Sequence, residues 1–254
     1  MDAVKPRLIQ GPSTTERAWS RARTIADMPC LSAQDLVSPQ ARLVVVAPHP
    51  DDEILMAGGL LQQLLALGRR AVVVAVTDGE ASHPQSSIWP AGRLLQERPL
   101  ESQAAIRRLA ASACETRRLG LPDGRLRDHA SELRTALSDI VVATDVVLTT
   151  WRLDGHPDHD TCGDQSAAVA AGFGAILIEA PVWMWHWSTP ADPRVPWARA
   201  RRLQLSARQI ERKRDAVSAF SSQLEADTST GAGPVLSESV LCRVARPDEV
   251  YFVN

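Results

Sequence analysis

The stretch Ala47-Pro48-His49-Pro50-Asp51-Asp52-Glu53 follows the apolar run Leu43-Val44-Val45-Val46 and leads into an apolar-periodic segment beginning at Ile54. A strand that stops at a proline and turns into a helix leaves its next side chains at the carboxyl edge of a sheet, where open α/β folds place their ligands. The run 43–47 is apolar throughout and does not alternate, so both of its faces should be covered, as in a parallel sheet. After Glu53, residues Ala57, Leu60, Leu61, Leu64 and Leu65 recur at helical steps as far as Gly68, and Ala71 to Val76 gives a second buried strand. Strand, helix and strand within about 35 residues make a right-handed βαβ unit.

Before this unit, residues 1–40 carry Pro6, Gly11-Pro12, Pro29 and Pro39 among polar residues, which reads as an arm packed on the domain with one short helix near 14–26. Residues 41–254 read as a single domain. Beyond the unit, Thr77-Asp78-Gly79-Glu80 ends the second strand, and a polar loop follows to Pro90. A helix is expected from Pro99 or slightly earlier to Ala113, with Ala105, Ile106, Leu109 and Ala113 inward. Residues 119–124 suggest an edge strand entering a turn, 132–137 a brief helix, and 146–148 a strand. A helix over 160–171 should close at Gly172, ahead of a strand at 175–178. Trp183, Trp185 and Trp187 alternate with Met184 and His186, a period of two that puts three indoles on one face of a strand. The last elements are an amphipathic helix over 206–220 with Ser206 as N-cap, a mobile loop at 229–233 and a strand at 249–253.

A second charged cluster, His156-Pro157-Asp158-His159-Asp160, follows the 146–148 strand, so both clusters stand at the same edge of the sheet. His49 and Asp52 are three residues apart across a turn into a helix and can face one point, while Asp51 between them must point elsewhere. His156 and His159 repeat that spacing on a helical first turn, where Pro157 suits the first position. Either histidine would complete a set of two histidines and one carboxylate, the kind of ligand set that zinc hydrolases hold while leaving a position for water. The same set also describes a non-haem Fe(II) enzyme, which would sit on a β-sandwich. The plainer reading makes Asp51 or Asp52 a cap complementing a helix dipole. Three of the six histidines nevertheless sit in these two clusters, which favours a shared metal site.

Composition excludes several other classes. The net charge is -2, from 28 basic against 30 acidic residues, and basic runs such as Arg199 to Arg202 are short, so no nucleic-acid partner is indicated. No apolar run approaches the ~20 residues of a membrane span. The four cysteines are scattered without close spacing, which supports neither a thiolate zinc site nor a disulfide framework and points to the cytoplasm. Gly58-Gly59 lies inside a helix and no G-x-G-x-x-G is present, which argues against dinucleotide binding.

Pro48 to Glu53, Thr77-Asp78-Gly79-Glu80 and His156 to His159, in that order and after the expected strands, resemble the LmbE-like zinc-dependent deacetylases related to N-acetylglucosaminyl-phosphatidylinositol de-N-acetylase (PIG-L). The resemblance spans about residues 41–225, and the segments 181–187 and 213–223 look like members that act on sugars of natural products. It implies a Rossmann-like three-layer α/β sandwich whose mainly parallel sheet is flanked by helices. It further implies that His49, Asp52 and His159 hold Zn²⁺, with Fe²⁺ or another divalent metal as substitutes. In the same reading Asp51 is the general base, and His156, in protonated form, faces the substrate carbonyl and its oxyanion. Asp158 would fix a histidine tautomer from behind the ligands, and either Asp51 or His156 would deliver the proton to the leaving amine. The implied reaction removes an acetyl or other acyl group from the nitrogen of an amino sugar in a small-molecule glycoside or conjugate. A non-catalytic binding module on the same fold is the alternative, and a homo-oligomer is compatible with the sequence. Asp78, Glu80, Arg98, Trp151, Arg152 and Asp154, at strand ends or near the clusters, are the candidates for substrate contact. Arg98 and Glu101 form an Arg-x-x-Glu pair like one lining the family's pocket, although an ordinary surface ion pair has the same spacing.

Overall fold

The computed structural model describes residues 7, 9, 11, 13–109 and 114–253. Its elements are α1 (Glu16–Arg21), α2 (Ala33–Leu36), β1 (Leu43–Ala47), α3 (Asp52–Ala66), β2 (Ala71–Thr77), α4 (Ala91–Leu109), β3 (Cys114–Leu121), α5 (Ala130–Ser138) and β4 (Val146–Thr150). They continue as α6 (Pro157–Phe173), β5 (Ile176–Ala180), α7 (Met184–Trp187), β6 (Ala200–Gln204), α8 (Ala207–Val217), α9 (Ser221–Leu224), α10 (Glu238–Val244) and β7 (Asp248–Val253).

The all-apolar β1 has the double burial that its composition demands. Leu43, Val45 and Ala47 pack with Ile54, Leu60, Leu61 and Leu64 of α3 and with residues of α4 and α8, whereas Val44 and Val46 pack with Leu133 and Leu137 of α5 and Val169 of α6. Helices therefore cover both faces of a mixed α/β sheet. Its seven strands run in the order β3-β2-β1-β4-β5-β7-β6. The first five are parallel, and β7 runs antiparallel to both β5 and β6. From β1 the chain proceeds to β2 and β3 on one side and returns to β4 on the other. The strand order thus switches between β1 and β4, and a crevice opens there at their carboxyl ends. α3 and α6 both start at that crevice, carrying one charged cluster each. Gly163 lets α6 lie close to the end of β4, since a Cβ there would meet the Thr150 carbonyl oxygen at 2.7 Å.

Several local expectations give way to tertiary contacts. α4 begins at Ala91, not near Pro99, which lies inside the helix, and the expected inward Ala113 falls outside the described residues. α6 runs on to Phe173 and ends on Gly174 in the left-handed region, not at Gly172. The alternating 181–187 segment forms no strand: it turns after Pro181 into the short α7. Strand β6 was hidden by its arginines, of which Arg202 bonds Asp248 on β7 at 2.9 Å. The loop at 229–233 is closed as a turn by Gly231 N–H donating to the Asp227 carbonyl at 2.8 Å. A β-sandwich, which the iron alternative would need, is not what these strands build. Among the described residues no helix is long and apolar enough to cross a membrane.

Candidate metal centre and its cavity

The turn between β1 and α3 is held by Thr77 at the end of β2, whose N–H and hydroxyl both donate to the Pro48 carbonyl, at 3.1 and 2.8 Å. Asp51 then takes φ 138°, a strained region for a residue with a side chain. Its N–H donates to Glu53 Oε2 at 3.0 Å, and Ser102 fixes the other Glu53 oxygen at 2.6 Å. This strain is what lets His49 and Asp52 turn one way and Asp51 another. Asp52 Oδ2 lies 3.2 Å from His49 Nδ1 and 3.2 Å from His159 Nε2, and the two ring nitrogens are 3.3 Å apart.

Those three atoms form a nearly equilateral triangle. Ligands at about 2.0–2.1 Å from a tetrahedral metal stand about 3.3 Å from one another, so the donor set fits a divalent cation of the zinc type. The outward nitrogens are anchored as metal-ligating histidines require. His159 Nδ1 faces Asp154 Oδ2 at 2.9 Å, and His49 Nε2 faces Asp123 Oδ1 at 3.1 Å and Asp158 Oδ2 at 3.3 Å. Four carboxylates around two imidazoles call for positive charge. Burial opposes protonation of His159, yet Asp52 and Asp154 outweigh it and hold the ring up at about 9 in the metal-free site. Burial likewise opposes ionisation of Asp52, but His159 and His49 keep it below the usual carboxylate range.

The remaining members differ in role. Burial, offset in part by Arg98 and reinforced by Asp52, raises Asp51 to about 7. Arg98 Nη2 stands 3.2 Å from Asp51 Oδ2 and also donates to the Pro50 carbonyl at 2.7 Å. Arg98 and Glu101 are not an ion pair with one another, because Glu101 accepts from the N–H and hydroxyl of Ser222 at 2.7 and 2.6 Å. His156 caps α6, its Nδ1 accepting the Asp158 N–H at 3.2 Å, which assigns the ring proton of the neutral form to Nε2. Burial first, then the neighbouring His159 and His49, push His156 down to about 3, which favours the neutral ring in the metal-free site. His49, His156 and Asp158 also converge within 4.8 Å, but the Nδ1 of His156 is already engaged by the cap.

A cavity of about 550 Å³ opens on these groups. Of the six residues expected to meet substrate, Arg98 alone lines it. Asp78 pairs with Arg118 at 2.8 Å, and Glu80 accepts the N–H of Asp123 at 3.0 Å, supporting the group that holds His49. Trp151 is buried in a cluster with Trp185 and Phe252, and Arg152 pairs with Glu179 at 2.8 Å. Asp154 is not at a rim. It is fully buried, and besides His159 it accepts the N–H groups of Val182, Trp183 and Met184 at 3.0, 2.9 and 2.9 Å, which is why 181–187 turns and does not extend. That turn sets Trp183 on the cavity wall, stacked beside His156 with ring centroids 6.3 Å apart. Asp123, which sequence reading placed only in a turn, carries no signal that would have marked it.

The family profile described as PIG-L, GlcNAc-PI de-N-acetylase, matches residues 44–171, half of the chain. No curated protein matches the sequence. Among solved structures, the A40926 pseudoaglycone deacetylase Dbv21 superposes with a TM-score of 0.61 at 20% identity, covering 84% of this chain and 97% of the other. The zinc-inhibited form of the teicoplanin deacetylase Orf2 gives 0.60 at 19% identity, with 84% and 97% covered. The N,N'-diacetylchitobiose deacetylase of Pyrococcus horikoshii gives 0.52 at 17% identity, with 87% and 82% covered.

Proposed function

The chain belongs to the GlcNAc-PI de-N-acetylase family, and on that footing we propose that it is a zinc-dependent hydrolase removing an N-acetyl or other N-acyl group from an amino sugar. The sugar would be part of a small-molecule glycoside or conjugate, with natural-product tailoring as the setting. The observation that carries the reading is the triangle of His49 Nδ1, Asp52 Oδ2 and His159 Nε2, with sides of 3.2–3.3 Å. The shared fold with deacetylases of teicoplanin, of A40926 pseudoaglycone and of diacetylchitobiose supports the substrate class. We read the sheet and its two helical faces as the family's three-layer, Rossmann-like domain over 41–254, with the arm 1–40 packed on it and a cytoplasmic location.

In this reading His49, Asp52 and His159 hold the metal, which supplies Lewis acidity toward an amide carbonyl and acidifies water. Asp51, titrating near neutrality, accepts the proton of the attacking water, and Arg98 keeps its carboxylate oriented. His156 donates its Nε2 proton as a hydrogen bond to the oxygen that gains charge, without needing to be cationic. The amine departs with a proton from Asp51 or His156. Asp154, Asp123 and Asp158 hold the ligand rings in their working tautomers.

The test is a screen of N-acetyl amino-sugar compounds for acetate release, with the metal content of the same sample measured in parallel. About one equivalent of zinc per chain and release that stops on chelation and returns with zinc are expected. Undiminished release after the metal is stripped would overturn the proposal.

A further inference from the structure

One wall of the cavity is not used by the chemistry above. It is apolar, built from Val182, Val235, Leu236, Val240, Val244 and Val250, yet it carries charged groups from α8, α10 and β7. Nearly all of those are neutralised in pairs. Lys213 Nζ meets Glu249 Oε1 at 2.6 Å, Asp248 meets Arg202 at 2.9 Å, and Arg246 makes a two-pronged pair with Glu16 at 2.7 and 2.8 Å. Arg243 is the exception among the described residues. It lines the cavity, makes no ion pair, and its Nη2 is buried without a hydrogen-bond partner. Beside it, His186 Nε2 is also buried without a partner. An uncompensated cation under an apolar wall is costly, and a protein retains one where a ligand supplies the missing charge. Burial, and then the neighbouring Arg246, pull the guanidinium down to about 10, and the Glu16 and Asp154 carboxylates only partly oppose this.

We propose that Arg243 is an anion subsite of this cavity, taking a carboxylate borne on an apolar portion of the substrate. Charge decides for a carboxylate over a phosphate. With Asp154 already engaged by His159 and three backbone N–H groups, Arg243, Arg246 and Glu16 leave one positive charge, which a monoanion neutralises, whereas a phosphate dianion would find too few donors. A planar guanidinium also matches a carboxylate two bonds at a time. The proposal deepens the deacylase reading, since it adds an acidic apolar group to the amino-sugar conjugate, but it can be tested without catalysis.

Octanoate and octanamide are titrated calorimetrically into the full chain, wild type, Arg243→Met and Arg243→Lys, each metal-loaded and again after chelation. Wild type should prefer octanoate by at least about tenfold in both metal states, as expected for a charge-assisted bond. Arg243→Met should lose the preference, and Arg243→Lys should retain part of it. The melting temperature of Arg243→Met should not fall, because no internal contact is removed, and this separates a ligand site from a structural one. Preference that survives Arg243→Met, or that vanishes on chelation, puts the carboxylate at the metal and overturns the proposal. Absence of deacylase activity with the preference intact would sink only the reaction.

Discussion

The two walls of the cavity were assembled by different means. The wall bearing His49, Asp51, Asp52, His156 and His159 comes from two strand-to-helix turns, each a run of five residues, brought together because β1 and β4 are parallel neighbours. The opposite wall takes residues from β7, α8, α9, α10 and the 181–187 turn, elements separated in sequence and joined only by the finished fold. Chemistry carried by a local turn survives outside its context. Chemistry carried by packing does not. If that contrast is sound, substitutions on the first wall should change rate or metal while sparing stability, and substitutions on the second should do the reverse.

The largest effect should come from Asp51→Asn. Removing a general base costs about 10²–10⁴-fold in rate, and metal content should be unchanged because the triangle does not include Asp51. Protein that keeps the metal and the wild-type rate would remove Asp51 from the chemistry. A second readout fixes its protonation in the metal-free chain. The folded carboxyl titrates near 7, above its ordinary value, so its ionised form is disfavoured and the wild type loses stability as pH rises through that range. Asp51→Asn has nothing to ionise. Its melting temperature should gain on the wild type from pH 5 to pH 8.

Next in size is Glu249→Leu, on the other wall. The Glu249 carboxylate accepts the N–H groups of Gly59 and Leu60 at 2.7 and 2.9 Å, Lys213 at 2.6 Å and the Tyr251 hydroxyl at 2.7 Å. It therefore stitches β7 and α8 to the middle of α3, the helix that starts with Asp52. Breaking such a buried pair by removing one partner costs about 3–5 kcal/mol. Denaturant unfolding should show that loss, while the residual folded protein should still bind metal. A loss of metal without loss of stability would reverse the assignment of the two walls.

What could be read from the sequence divides along the same line. The strand 43–47, the helix behind it, and the two charged turns that meet at His49, Asp52 and His159 were legible because each is written in a few consecutive residues, while the choice of His159 over His156 came with the family resemblance. The start of α4 was not, because Pro99 looks like a first-turn proline, whereas in the fold it lies inside the helix beside Arg98, which is buried against Gly79 and Pro50. Residues 181–187 have a strand's period, but three N–H groups gathered by Asp154 turn them. Asp123 and Arg243 announce nothing in their neighbourhoods.

Asp154 lies behind the cavity and supports both walls, which makes it the sharpest test of their separation. One of its oxygens faces His159 Nδ1 and the Trp183 N–H, and the other accepts from Val182 and Met184. Asp154→Asn offers one acceptor oxygen where two are needed. Metal affinity should weaken about 10–100-fold, the usual cost of losing a carboxylate behind a ligating histidine. A competitive chelator titration reads this directly. Because the same change loosens the turn carrying Trp183, the Michaelis constant should rise as well, even with saturating metal. An unaltered constant would show that the turn is held by its other contacts and that Asp154 serves the metal alone.

The smallest effect isolates the shared boundary between the walls. Trp183 lines the cavity with its ring at 20° to that of His156, so the two rings present adjoining faces to whatever enters. A sugar ring or an aromatic aglycone seated there would stack on the indole, and such stacking contributes about 0.5–1.5 kcal/mol. Trp183→Leu keeps an apolar wall but removes the flat face. The Michaelis constant should then rise about two- to tenfold with little change in turnover, because the residue touches bound substrate and not the reacting atoms. A fall in turnover of the same size would mean instead that the indole's principal task is to hold His156 in place, and the boundary would then belong to the metal wall.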